Sequence, residues 1–122
     1  MWIFTKGGFL SAVRHTGKPG KLLVRARFAG DLERFCEAHG IDAEVAETPE
    51  HDYRFRAEIP CEAFAEAIKA EALAIDYPNF KSAVHDGTER DAAYMGCWSA
   101  MRRGQELTAM RERTRRARPR GA

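Results

Sequence analysis

No acidic residue occurs in the first thirty positions of this chain, which hold Lys6, Arg14, Lys18, Lys21, Arg25 and Arg27. Acids are almost as scarce at the other end. Residues 92–122 carry only Glu106 and Glu112, against Arg102, Arg103, Arg111, Arg113, Arg115, Arg116, Arg118 and Arg120. The stretch between, 31–91, reverses the balance, with sixteen Asp/Glu and six Lys/Arg. The formal net charge of +2 therefore hides a basic start, an acidic middle and an arginine-rich end. Such segregation implies either an anionic partner or blocks that neutralise one another in the fold.

Other absences narrow the class. Cys36, Cys61 and Cys97 are the three cysteines, far apart and without a CxxC, which argues against a disulfide framework or a zinc knuckle. Cys36 and Cys97 fall on apolar helix stripes and read as small buried hydrophobes; Cys61 stands where a helix begins. The longest apolar runs are a few residues, too short for a bilayer. The opening Met1–Lys6 lacks a basic region followed by a long apolar one, so no secretory signal is read and a cytoplasmic location is expected. His15, His39, His51 and His85 are scattered, with no HxH or HExxH spacing, and no GxSxG, Walker loop or dinucleotide fingerprint is present. No cofactor and no metal is expected, and a non-enzymatic role is favoured.

What is present is the pattern of one α+β domain. At 122 residues with 44% hydrophobic and 31% charged residues, the chain is of ordinary globular composition and can bury a single core. Residues 2–5 and 9–15 read as extended, joined at Gly7-Gly8, and Thr16–Gly20 is a turn cluster. Leu22, Val24, Ala26 and Phe28 alternate with Leu23, Arg25 and Arg27, the period of a half-buried strand. Leu32, Phe35, Cys36 and His39 recur at helical spacing, and Gly40 is a natural stop. A weak strand at 43–48 precedes a clear one at 53–59, with Tyr53, Phe55, Ala57 and Ile59 inward and Arg54, Arg56 and Glu58 outward. Pro60 ends it. Phe64, Ile68, Ala72 and Ile75 line a second helix over about 61–75, which Pro78 closes off. Asn79 caps a single turn. Thr88-x-x-Asp91 resembles a capping box before a helix from about 89 to 103 or beyond, striped by Tyr94, Cys97, Trp98 and Met101; the pattern continues through Leu107 and Met110, and Gly104 weakens it. Residues 104–122 read as an arginine-rich extension of a domain spanning 1–103.

The central run of strand, helix, strand, strand, helix is a ferredoxin-like split βαβ unit lacking its last strand. The segment 9–15 fills that edge, as in a circular permutation. The expectation is a two-layer α+β domain with a four-stranded antiparallel sheet and its helices on one face.

In that sheet the strands at 22–28 and 53–59 are antiparallel neighbours. Arg25, Arg27, Arg54 and Arg56 then project from the helix-free face. Like charges side by side on a sheet are unfavourable, so something must compensate. One reading is an anion-binding face, since the Arg fork pairs with phosphate oxygens. Another is cross-strand pairing with Glu44, Glu47 and Glu58; a third is a protein-binding face. Tyr53 and Phe55 face the core in this register, which removes the aromatic platform of single-strand readers. The C-terminal arginines read as an arm for nucleic acid, or as a solvated tail that meets acidic residues. His85-Asp86 is the best acid–base candidate, and Tyr77, Asn79 and Lys81 complete a polar pocket beside it. The partner is expected to be nucleic acid or an acidic protein, with no membrane. The alternative is a regulatory protein that forms a homo-oligomer or binds a protein through Tyr94, Trp98 and Met101.

Three sets of strings are distinctive: Met1–Lys6 with Phe9–Val13; Leu23–Arg27; and Ile75–Lys81 with Ala93–Met95 and Trp98–Met101. Together they resemble a family of small uncharacterised bacterial and phage-associated proteins, over most of residues 1–101. The resemblance implies no catalytic or binding residue. It singles out the Asp76–Lys81 loop for testing.

Overall fold

The structure is a computed structural model and describes residues 1–119 and 121; Arg120 of the arginine series lies outside the described residues. The chain divides into two compact units, 1–80 and 81–122.

The first unit is built on β1 (Trp2–Phe4), β2 (Phe9–Arg14), β3 (Lys21–Ala26), β4 (Ala46–Glu47) and β5 (Phe55–Pro60), with α1 (Asp31–Ala38) after β3 and α2 (Cys61–Leu73) after β5. The sheet order is β1-β2-β3-β5-β4, and every pairing is antiparallel. Five strands form where four were expected, because Trp2–Phe4 adds to the free side of β2 in the register Trp2↔Ser11, Ile3↔Leu10, Phe4↔Phe9. Aromatic stacking favours this hairpin: the Phe4 and Phe9 rings lie 4.7 Å apart, and Trp2 meets Phe9 edge-on at 6.3 Å.

The period-two pattern fixes the faces. Leu10, Ala12, Val24, Ala26, Ala57 and Ile59 point to one side and are buried there with Leu32, Phe35 and Cys36 of α1 and Phe64 and Ala67 of α2. Both helices thus pack on that face. The Phe35 and Phe64 rings, 5.7 Å apart, join them. Burial raises the Cys36 thiol pKa above its ordinary value.

Gly30 (φ 86°) turns the chain out of β3 into α1. At the other end, Gly40 (φ 62°) follows the cap residue His39. Its N–H donates to Glu37 C=O, and the Ile41 N–H donates to Cys36 C=O at 2.9 Å. That is the paired closure in which a left-handed glycine satisfies the last carbonyls of a helix. The expected stop at Gly40 therefore has a hydrogen-bonded cause.

In the second unit, the single turn α3 (Phe80–Ala83, beginning at the last residue of the first unit) leads to α4 (Glu89–Ala117). At 29 residues α4 runs well past 103, and Gly104 does not break it. Thr88 is the N-cap in extended conformation but makes no capping bond with its side chain. Instead its Oγ1 donates to Asp86 (2.6 Å), and Asp91 Oδ2 accepts the Gly87 N–H (3.2 Å). The capping box is displaced by one residue. Among the described residues no helix is long and apolar enough to cross a membrane.

Candidate anion-binding face

The sheet side away from α1 and α2 presents Ser11 and Val13 of β2, Leu23 and Arg25 of β3, and Arg56 and Glu58 of β5. Register arranges them in rows: Ser11, Arg25, Arg56 and Ala46 in one, and Val13, Leu23 and Glu58 in the next. Arg25 and Arg56 are therefore direct cross-strand neighbours, both half-buried.

The four arginines meet different environments. Arg25 Nη2 donates to Ser11 Oγ at 2.8 Å, and its guanidinium lies 4.3 Å from the Tyr53 ring centroid. Arg27, just past the end of β3, lies 4.0 Å from the same ring and forms an ion pair with Asp52 at 3.2 Å. The hydrogen bond it donates to the Asp52 carboxylate is the main reason its pKa is raised. Arg54, just before β5, donates to Glu47 from Nε (2.8 Å) and Nη2 (2.7 Å). Arg56 makes no hydrogen bond and no ion pair among the described residues. The Nε of Arg25 and of Arg56 are both shielded from solvent without an acceptor. Two arginines are thus neutralised by carboxylates and two, side by side, are not.

Tyr53 is buried, as its place in the two-residue period predicts, but it lies outside the main apolar cluster and its ring packs against Arg25 and Arg27. Ser11, fully buried, is the other group that inspection of charge alone misses. Its signal was positional: it stands opposite Arg25 once the hairpin register is known.

Arg56 opens into a groove of about 790 Å³ that continues past Leu23 and Glu58 to His15 and Lys21. Its other wall, Asp42 and Glu44, is acidic. Glu58 does not pair with an arginine. It accepts from Lys18 Nζ at 2.6 Å and contacts His15 Nε2 at 3.0 Å, and these bonds, Lys18 first, hold its carboxyl below the usual range. His15 Nδ1 in turn accepts the Gly17 N–H at 3.0 Å, so the ring carries its proton on Nε2 and donates it to Glu58. Arg14 and Lys21 also line the groove without an acid partner among the described residues, but only Arg25 and Arg56 are direct cross-strand neighbours.

The polar pocket expected around His85 is arranged otherwise. Tyr77 lines a small apolar groove with Ile3, Phe4, Ile68 and Ile75, and Lys6 sits over its ring at 5.7 Å while pairing with Asp76 at 3.3 Å. Asn79, exposed, precedes α3. Those two belong to the first unit; Lys81, His85 and Asp86 belong to the second. Lys81 Nζ stands 3.9 Å from the Trp98 ring centroid. His85 Nδ1 contacts Asp91 Oδ2 at 2.8 Å, not its neighbour Asp86. Asp86 serves the helix start, and its bonds to the Thr88 hydroxyl and N–H lower its pKa. Among the described residues no three His, Cys, Asp or Glu side chains converge as metal ligands.

Compared with known proteins, the chain matches no protein-family model, no curated protein and no solved structure.

Proposed function

We propose that the chain is a small non-enzymatic binding module whose partner brings an anionic group, a phosphate of nucleic acid, to Arg56 and Arg25. The observation that carries this reading is the adjacency of two guanidinium groups with no carboxylate partner. Like charges side by side on a sheet repel, and a phosphate meeting the outer edges of both guanidinium groups would relieve that repulsion. Arg27 and Arg54, already matched by Asp52 and Glu47, frame the site rather than supply its free charge. Asp42 and Glu44 in the lining of the same groove would repel further phosphates, which suits contact with one or two phosphates better than a strand laid along its full length.

The strand order supports a finer statement of fold. Read from β2, the sequence β2-β3-β5-β4 is that of a ferredoxin-like unit whose last strand has been supplied from the N-terminal side. We read the first unit as a circularly permuted ferredoxin-like sheet with β1 added. α4, in the second unit, carries an arginine-rich surface of its own.

Fluorescence anisotropy with labelled oligonucleotides at low and at physiological salt tests the reading. Salt-sensitive binding is expected. Arg56→Gln is expected to weaken it for all sequences alike and to lower the salt slope by about one. Absence of binding at low salt, or a salt slope unmoved by Arg56→Gln, refutes the assignment.

A further inference from the structure

We propose that α4 takes single-stranded nucleic acid, with Trp98 as the surface on which a base stacks. The proposal rests on the nucleic-acid reading above and adds the class of strand. Trp98 is 44% exposed, and Met101, one turn on, is 77% exposed. The Lys81 ammonium lies 3.9 Å from the indole centroid and the Arg102 guanidinium 5.5 Å. A partly exposed aromatic ring thus has two cations beside it, the pairing that single-strand binding surfaces use: a ring for the base and charges for the neighbouring phosphates.

The rest of the helix supplies the charge. Between 102 and 117 it carries six arginines against Glu106 and Glu112, and all of these side chains are exposed. Arg102 pairs with Glu106 at 3.1 Å; Arg103, Arg111, Arg113, Arg115 and Arg116 stand without an acid partner among the described residues. At 100° per residue these five spread round the whole circumference. A folded acidic protein would engage one stripe of such a helix, whereas a flexible strand can bring phosphates to several sides. Duplex phosphates could do the same. Trp98 decides between them, because a base inside a duplex is already stacked on its neighbours and offers no free face, while an unpaired base does. A cation over an exposed ring is held more weakly than a stacked base, so Lys81 and Arg102 can leave the ring for the flanking phosphates when a base arrives.

The test uses the full chain with Trp2→Phe, so that Trp98 alone reports emission, titrated at low salt with an oligothymidylate strand and with a duplex of equal length. Quenching of Trp98 by the single strand, and tighter binding of strand than of duplex, is the expected result. Trp98→Leu should weaken strand binding roughly tenfold, and Trp98→Phe should retain most of it, because a ring of either kind can stack. Helix content by circular dichroism checks that both variants keep α4. Equal binding of strand and duplex, with emission unchanged or with Trp98→Leu as tight as Trp98→Phe, overturns the stacking role and leaves the nucleic-acid reading standing. Failure of both nucleic acids to bind overturns the two together.

Discussion

Removing the Asp31 carboxylate should loosen the first unit more than any surface charge does. Its side chain is fully buried at the first position of α1. Oδ2 accepts the Phe9 N–H at 3.1 Å, where β2 begins, and Oδ1 receives Arg34 Nη2 at 2.5 Å. Asp31→Ala leaves the Phe9 amide buried without its acceptor, a loss of about 1–3 kcal/mol. It also removes a negative charge from the helix N-terminus, about 0.3–1 kcal/mol. The Arg34 pair adds little, roughly 0–1 kcal/mol, because the arginine is half exposed. The expected cost is therefore about 2–4 kcal/mol. Asp31→Asn keeps an acceptor for Phe9 and should cost less than half of that. Gly8 gives an independent handle. A Cβ there would come within 2.5 Å of Asp31 Cγ, so Gly8→Ala must push the same carboxylate out of place. Gly8→Ala and Asp31→Ala should combine to less than the sum of their separate costs, since the second change disrupts contacts the first has already lost. Urea unfolding followed by circular dichroism measures the parent and each of these variants. Should Asp31→Ala fall within about 0.5 kcal/mol of the parent, or Arg34→Ala match it, the amide bond to Phe9 is not what the carboxylate is for.

Three further outcomes are expected. Glu58 has a depressed pKa in the fold, so its stabilising effect is complete above the ordinary carboxylate range and fades as pH falls through the lowered value; Glu58→Gln should flatten the acid limb of a stability–pH profile, and an unchanged limb counts against the Lys18 and His15 contacts. Cys97 is exposed, whereas Cys36 is buried with a raised thiol pKa, so a thiol reagent at neutral pH should label Cys97 rapidly and Cys36 only on unfolding, as peptide mass mapping would show. Tyr53→Leu keeps an apolar side chain but removes the ring under Arg25 and Arg27, and a loss of about 1–2 kcal/mol on thermal or urea unfolding is expected, against essentially none if the ring serves only to fill space.

Alternation made β3 and β5 readable before any coordinates. Val24 and Ala57, and Leu22 and Ile59, stand opposite each other because both strands keep a strict two-residue period, and only one register buries both sets. Tyr53 obeys the same period and is buried, but two guanidinium groups cover its ring outside the main apolar cluster. A hydropathy pattern counts Tyr53 as apolar and has no means of registering those contacts. In α4, the pattern through Leu107 and Met110 points beyond 103 and gives no stop before the arginine run, where Arg, Glu, Ala, Met and Leu are all good helix formers and Arg102 and Glu106 form an i,i+4 pair. Local propensity, not burial, carries the helix to Ala117. His85 and Asp86 looked like a pair because they are consecutive. Asp86 instead turns to Thr88, and the first turn of α4 brings Asp91 to His85. As for the arginine face, strand period assigns Arg25 and Arg56 to one side, but their direct pairing comes from the cross-strand register, and the acids that neutralise Arg27 and Arg54 depend on how the 48–54 turn folds.

The outermost strands of the sheet, β1 with three residues and β4 with two, have a consequence for how copies of the chain meet. A rim that short exposes few backbone donors and acceptors, so it makes a poor template for templated growth into fibrils or for strand exchange between molecules. Contacts between chains are left to side chains, many of them charged. Crowding and precipitation of this protein should therefore respond to ionic strength far more than to conditions that favour β-aggregation.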